Sequence, residues 1–364
     1  MIINWIKNNV ITTVVIILAM ITCFFVPIDK QYLNYFDYRT LICLACILVS
    51  VQCLKNSGFF QAVSKKMVYI FKNTKSVILA LILLTFVIDL FLANDMSLVT
   101  LLPLTYIVLS NTNNMKYFAF TLILQNIAAN MSGMITPHGN PQNIYLFSFY
   151  DISTLDFVKI LLPHFFIVLL LLIVLPLIVV KKEPLTISFD GTPKGDKKIF
   201  IYFGMFLISL LTIFKVVPYI SGLLIVFSVA LIFDRQSLKN MDWDLLITFV
   251  AFFVFSGNIS RVPVISDFLI KSLDKNILLT GMLSCQFVSN VPSAILLSKF
   301  TIDYEPLIVA VNIGSLGTLI SSLASLITLK HYLKVEKNIS KYLLIYTAIN
   351  ILFLSVLLIY IFLF

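Results

Sequence analysis

Charge is the scarcest commodity in this chain. Only 12% of its 364 residues are Asp, Glu, Lys or Arg, against 60% apolar residues. No soluble globular surface can be built from that ratio, and no polar stretch is long enough to form a separate soluble domain. Histidine is nearly absent as well, with only His138, His164 and His331. HExxH, the Gly-Lys-Ser phosphate loop and GxSxG are all missing, so a membrane enzyme or a nucleotide-driven pump is poorly supported. Five cysteines (Cys23, Cys43, Cys46, Cys53, Cys285) fall inside apolar runs without paired loop spacing. Cys43 and Cys46 form a CxxC, but inside an apolar helix this pattern points to packing rather than redox or metal chemistry. The net charge of +9 comes from lysines in short loops, where they set membrane orientation; no nucleic-acid partner is implied.

What the chain has instead is a succession of apolar runs, each able to cross roughly 30 Å of hydrocarbon as a helix. The lipid bilayer is therefore its medium. The first run, Val10 to Val26, follows Lys7 and has no small-residue cleavage site after it, so it is expected to be a retained helix. Spans are expected at 10–27, 39–55 and 157–180 in the first half, and at 199–216, 218–233, 242–258 and 341–363 in the second. Amphipathic surface helices are expected at 57–73 and near 263–273, the latter with Ile265, Phe268 and Leu269 inward. Short apolar arms at 76–92 and 97–110 meet at Ala93-Asn94-Asp95, and arms at 276–288 and 293–300 meet near Asn290.

The two halves match. Ala129 to Asn143 (ANMSGMITPHGNPQN) lies over Val311 to Ser325 (VNIGSLGTLISSLAS) without a gap, pairing Asn130 with Asn312 and Thr136 with Thr318. Asn94 and Ser97 precede the first stretch as Asn290 and Ser293 precede the second. Further upstream, Asp37-Tyr38 and Asp242-Trp243 each open an apolar run. Duplicated units with polar interruptions at membrane depth mark secondary transporters. The expected fold is an all-α polytopic membrane protein. Residues 1–180 form the first repeat, with hairpin 76–110 and interrupted helix 115–150. Residues 181–198 form a cytoplasmic linker. Residues 199–364 form the second repeat, with hairpin 276–300 and interrupted helix 304–330. Re-entrant arm pairs and a cytoplasmic N-terminus put most of the 26 Lys and Arg residues inside, so the repeats are expected to be inverted, with the C-terminus external.

The chemistry-bearing residues sit at the interruptions. Pro137, Gly139 and Pro141 cannot all continue a helix, so carbonyls there can meet a cation, and the next half-helix can present N–H groups to an anion. Thr136, Asn140 and Asn143 add side-chain donors and acceptors, as do Asn312, Thr318, Ser321, Ser322 and Ser325 in the second half, where Gly314 and Gly317 break the helix less obviously. A small-residue packing stripe is the alternative for 311–325. Asn94, Ser97, Ser289, Asn290 and Ser293 lie where arms meet; helix capping accounts for an Asn there as well as ligand binding does. Asp95 is an acid at membrane depth, costing about 2.5–3.5 kcal/mol on the insertion scale, and is expected to be paired or functional. Asp89 ranks below it. His138 could titrate or simply hold Pro137 in place.

The stretches LANDMSLVTLLPL, ANMSGMITPHGNPQN, CQFVSNVPSAILLS and VNIGSLGTLISSLASL resemble the signatures of the ion-transporter superfamily, which includes divalent-anion/sodium symporters, arsenite permeases and sodium–proton antiporters. The chain is most similar to short bacterial anion permeases with a citrate-transporter-like domain. That resemblance implies a scaffold and a transport domain, a homodimer, and an elevator mechanism without an organic cofactor. It also implies sodium contacts at Asn94, Asp95 and Gly139, and at Ser289, Asn290 and Ser321. Symporter tips read Ser-Asn-Thr, whereas here they read Ala93-Asn94-Asp95 and Ser289-Asn290-Val291, so the asparagine contacts carry over and the threonine contacts do not. The expected activity is secondary transport of a small oxyanion or carboxylate coupled to sodium or protons. A cation/proton antiporter using Asp95 and an arsenite-type efflux permease are the alternatives.

Overall fold

Two aspartates that open apolar runs in the sequence turn out to be helix caps. Asp37 Oδ1 accepts the Thr40 N–H at 3.0 Å and starts helix α2 (Tyr38–Asn56), while Asp242 Oδ1 accepts the Leu245 N–H at 3.0 Å. Such a cap satisfies one of the orphan donors of a helix start and is worth about 1 kcal/mol. A second pair of caps was not visible as a match in the sequence. Asn73 accepts the Ser76 N–H at 2.9 Å, and Asn276 accepts the Leu279 N–H at 2.8 Å. Each starts the first arm of a helical pair.

The computed structural model describes residues 10–59, 70–71, 73–90, 94–184 and 198–363. Most of the surface helix expected at 57–73, the tip residue Ala93 and most of the linker lie outside these. Among the described residues the first half comprises α1 (Val10–Phe25), α2, α3 (Thr74–Asp89), α4 (Asn94–Asn111), α5 (Phe118–Ser132), α6 (Pro141–Phe149) and α7 (Thr154–Val179). The second comprises α8 (Ile199–Ile213), α9 (Tyr219–Phe233), the short α10 (Arg235–Asn240), α11 (Trp243–Ile259), α12 (Pro263–Lys275), α13 (Ile277–Val288), α14 (Asn290–Leu297), α15 (Tyr304–Ile313), α16 (Leu323–Val335) and α17 (Ile339–Leu363). No strand occurs among the described residues apart from an isolated antiparallel bridge between Asn73 and Pro184.

Both interrupted helices are broken where the sequence turns polar. A 3₁₀ turn at Gly133–Ile135 ends the first half-helix, and Pro141 restarts it at the first helical position, where its missing N–H costs nothing. The second break extends from Gly314 to Ser322 and is as complete as the first, although its sequence contains no proline. The arm boundaries also differ from expectation. α3 stops at Asp89 rather than 92, and α14 begins at Asn290 rather than 293.

Corresponding elements pack in reciprocal pairs. α1 lies on α11 and α9 lies on α2; α3 pairs with α4 and α13 with α14; α4 lies on α16 and α14 on α6; α5 lies on α16 and α15 on α6. Each half therefore completes the other. Among the described residues, four helical stretches are long and apolar enough to cross a membrane: Tyr38–Asn56, Met115–Ile135, Thr154–Val179 and Ile339–Leu363. Met115–Ile135 is 94% buried while the last two are 22% and 28% buried, which places the first at the centre and the others at the periphery. α11 and α12 meet at 96°. Of the inward residues expected on α12, Leu269 packs on the core but Phe268 is 67% exposed, and Leu273 is the one buried instead. An amphipathic surface helix turns its apolar stripe partly toward lipid, so periodicity alone does not tell protein from bilayer.

Candidate functional site

Four helix starts converge on one cleft. Its lining is Asn94 from α4, Pro141 and Gln142 from α6, Asn290 and Val291 from α14, and Ser322 and Leu323 at the start of α16, closed by Leu245 of α11. The cleft is narrow, with about 30 Å³ of room for the centre of a water-sized molecule. A smaller apolar hollow of about 20 Å³ adjoins it and shares Leu245, Val291 and Leu323. Each helix start leaves unpaired N–H groups and the positive end of a helix dipole. Among the described residues no Lys or Arg lines the cleft.

The amides around this cleft are organised but not saturated. Asn130 Oδ1 accepts from Asn94 Nδ2 at 3.1 Å and from Ser322 Oγ at 2.7 Å, joining the first tip to the second break. Among the described residues, Asn94 Oδ1 and Gln142 Oε1 are buried without a partner, leaving two acceptors available at the cleft. Asn94 therefore does not use its side-chain oxygen as a helix cap. Asn290 Oδ1 instead meets the Val291 N–H at 2.9 Å, while the Asn290 N–H donates to the Ser321 carbonyl at 3.0 Å. Ser289 holds φ +76° and ψ 159° at the second tip. A side chain there costs about 1–3 kcal/mol and persists only where surroundings enforce it.

The first break is a cluster of oxygens. Thr136 Oγ1 and Asn140 Oδ1 are buried and unpartnered. A methyl group added at Gly133 would fall 2.4 Å from Asn140 Oδ1 and 2.9 Å from the Gly139 carbonyl; one at Gly139 would fall 2.7 Å from Thr136 Oγ1. Glycine at both positions thus lets these oxygens close around the break. Asn140 Nδ2 donates to the Asn130 carbonyl at 3.0 Å, and Asn143 Nδ2 reaches the carbonyls of Gly133 and Met134 at 3.2 Å. His138 Nε2 lies 3.1 Å from the Leu90 carbonyl and ties the break to the first hairpin.

The second break is held by a residue that sequence comparison of the two halves missed. Gln286 Nε2 donates to the Gly314 carbonyl at 2.8 Å and the Leu316 carbonyl at 3.0 Å, and Gln286 Oε1 accepts the Thr318 N–H at 2.8 Å. Thr318 Oγ1 returns a bond to the Gln286 carbonyl at 3.1 Å. Thr318 is exposed and turned to Gln286, not among the residues lining the cleft. Ser321 Oγ donates to carbonyls of Ser315 and Thr318, both at 2.7 Å. From α17, Asn350 Oδ1 accepts the Gly317 N–H at 3.2 Å.

The expected site residues therefore divide. Asn94 and Asn290 meet at the cleft; Thr136, Gly139, Asn140 and Asn143 form the first break; Gly314, Gly317, Thr318 and Ser321 form the second. Asn312 bridges the halves by donating to Asn143 Oδ1 at 2.8 Å. Ser97 and Ser293 are buried inside their hairpins, bonded to Asp89 and Ser284. Asp95 sits in the first turn of α4, and its side chain lies outside the described residues. Gln142 had no separate signal beyond its place beside Asn143, and Gln286 stood out only as part of CQFVSN.

Residues 1–306 match the family described as citrate transporter. The chain is 33% identical to an uncharacterized transporter of Methanocaldococcus jannaschii, over 89% of each protein. It is 28% identical to an inner membrane protein of Escherichia coli, over 84% of this chain and 83% of that one. This membrane protein belongs to the citrate transporter family.

Proposed function

We propose that the chain is a secondary active transporter that moves a small oxyanion or carboxylate across the cytoplasmic membrane, coupled to sodium or protons. The observation that carries this is the convergence of four helix starts, α4, α6, α14 and α16, on one cleft with no basic side chain among the described residues. Fixed backbone donors hold an anion through hydrogen bonds and dipoles, and without a cationic side chain the ligand is not locked in place by an ion pair. A transported anion must also leave. The reciprocal packing of the halves supports an inverted repeat with 76–110 and 276–300 as re-entrant hairpins, and exchange of access between the two faces follows from moving one packed unit against the other. Homodimer formation and an elevator motion rest on the resemblance to the superfamily.

The unpartnered Thr136 Oγ1 and Asn140 Oδ1, with the Gly139 carbonyl, suit a hard cation that takes oxygen ligands, which is compatible with sodium as a coupling ion. Thermal melting of the purified protein with citrate, succinate, phosphate, sulfate or arsenite, each with and without sodium, tests the reading. A ligand that binds only the native state raises the midpoint. One of the anions is expected to do so, and the rise should disappear in Asn94→Ala and Asn290→Ala. Cation–proton exchange that needs no anion, and disappears in Asp95→Asn, would replace this reading with the antiporter.

A further inference from the structure

Asp89 is fully buried at the end of α3, and its carboxylate does not line the cleft. Asp89 Oδ1 accepts the Ser97 hydroxyl at 2.7 Å, and Asp89 Oδ2 accepts the Ser132 hydroxyl at 3.0 Å. Ser97 is in the first turns of α4, directly after Asn94; Ser132 is the last residue of α5, at the edge of the first break. One carboxylate thus ties the two arms of the first hairpin to the interrupted helix. The Ser97 hydroxyl has a second acceptor within reach, the Asn94 carbonyl at 2.9 Å. In the second hairpin the corresponding link is between Ser284 Oγ and Ser293 Oγ, at 2.8 Å, and it is neutral.

We infer that Asp89 is the proton-carrying group of the transport cycle, and that its protonation state is read at the cleft through Ser97 and Asn94. The inference deepens the proposed anion transport and rests on it for the word cycle. When Asp89 is ionised, both serine hydroxyls donate to it. When it binds a proton it becomes a donor to one serine oxygen, and the Ser97 hydroxyl is released to the Asn94 carbonyl. The first turn of α4, which presents the Asn94 amide to the cleft, is thereby held in two hydrogen-bonding arrangements. A buried carboxylate at membrane depth is retained only with a partner or a function, and in the second hairpin a serine pair links the two arms without a charge.

The geometry favours a proton over a metal ion at this carboxylate. A hard cation needs several oxygens around an open volume, whereas both Asp89 oxygens are already within hydrogen-bond distance of hydroxyls. A proton needs no cavity. The ionisable groups on the elements packed against α3 are few. α5 has none; α4 has Asp95, whose side chain is not described, and Tyr106, which is 38% exposed. His138 faces the Leu90 carbonyl at 3.1 Å. On α7, Asp156 is exposed beside Lys159 and Ser153, and the His164 ring packs on Tyr360 at 5.5 Å. The Asp89 contacts that carry the inference are the two serine hydroxyls, one from each neighbouring helix.

The test has two arms. In the first, full-length protein in liposomes is titrated with no anion added, and infrared difference spectra are recorded across the protonated-carboxyl stretch. Wild type and Asp95→Asn should show a band that appears and disappears with pH; Asp89→Asn should lose it. In the second, uptake of labelled citrate is measured with and without an imposed proton gradient, and the stimulation ratio should fall to one in Asp89→Asn. If Asp89→Asn fails to assemble, Asp89→Glu keeps the proton site displaced by one methylene and should shift the frequency and pH midpoint of the band. A band that persists in Asp89→Asn, one lost in Asp95→Asn instead, one unmoved in Asp89→Glu, or an unchanged gradient response overturns the inference. If wild type takes up no citrate, the transport reading fails for that anion, and the infrared arm still decides whether Asp89 carries the proton.

Discussion

Asn312 Nδ2 donates to Asn143 Oδ1 at 2.8 Å across 169 residues of chain, joining the first half-helix of one break to the second half-helix of the other. Both residues are fully buried, so removing either side chain leaves the other amide short of a partner, at a cost of about 1–3 kcal/mol. Asn143→Ala and Asn312→Ala are each expected to lower stability by that amount. The double mutant should lose less than the sum, with a coupling energy of about 0.5–3 kcal/mol, read from denaturant melts in detergent. Additive losses would mean that the bond does not join the halves.

Gly317 should not tolerate a side chain. Its φ is +119°, and an added methyl group would fall 2.3 Å from Gln286 Oε1. Gly317→Ala is expected to cost about 2–3 kcal/mol. Shortening Gln286 in the same background relieves the clash but not the backbone strain, so Gly317→Ala/Gln286→Ala should recover none of the strain component. Full recovery in the double mutant would show that the clash alone is responsible.

Lys299, in the loop after α14, has its ammonium 5.3 Å from the centre of the Tyr35 ring. Burial pulls its pKa from 10.5 down to about 8. Between those values the unfolded chain binds more protons than the native one, so stability should rise with pH from about 8 to 10.5, by at most about 1.4 kcal/mol per unit. Partial exposure and the ring contact reduce that slope. Melting temperatures of Lys299→Met across the same window should lack this contribution, and a slope identical to wild type would refute the assignment.

Opposite entry of the two hairpins can be read by chemical labelling. Lys116 follows the first hairpin with its side chain 53% exposed, and Ile302 follows the second at 89% exposed. Single cysteines at these positions, with the five native ones replaced, should react with an impermeant maleimide from opposite faces of the membrane. Reaction of both from one face would rule out inverted repeats.

Local features were legible because their causes lie within one or two turns of chain. Asp37 and Asp242 cap the helices they precede, and Pro137, Gly139 and Pro141 interrupt a helix wherever they occur together. The absence of charge likewise settled the solvent before any contact was known. The second break was harder to foresee, since Gly314 and Gly317 are tolerated in helices until something else takes over the freed backbone groups. Gln286, Tyr346 and Asn350 do so, from residues distant in sequence.

Only tertiary structure decided what the polar residues face. Asn94 and Asn290 share a cleft because α4 and α14 each pack on a half-helix from the other half of the chain, and Gln142 joins them because it is the second residue of one of those helices. Asp95 stood out in sequence by its place beside a tip asparagine, yet it is Asp89 whose carboxylate is shown meeting serines from both neighbouring helices. Sequence specifies which residues are polar and where a helix must stop. Which of them meet depends on the directions of side chains on helices brought together from opposite ends of the chain, and no local period encodes that.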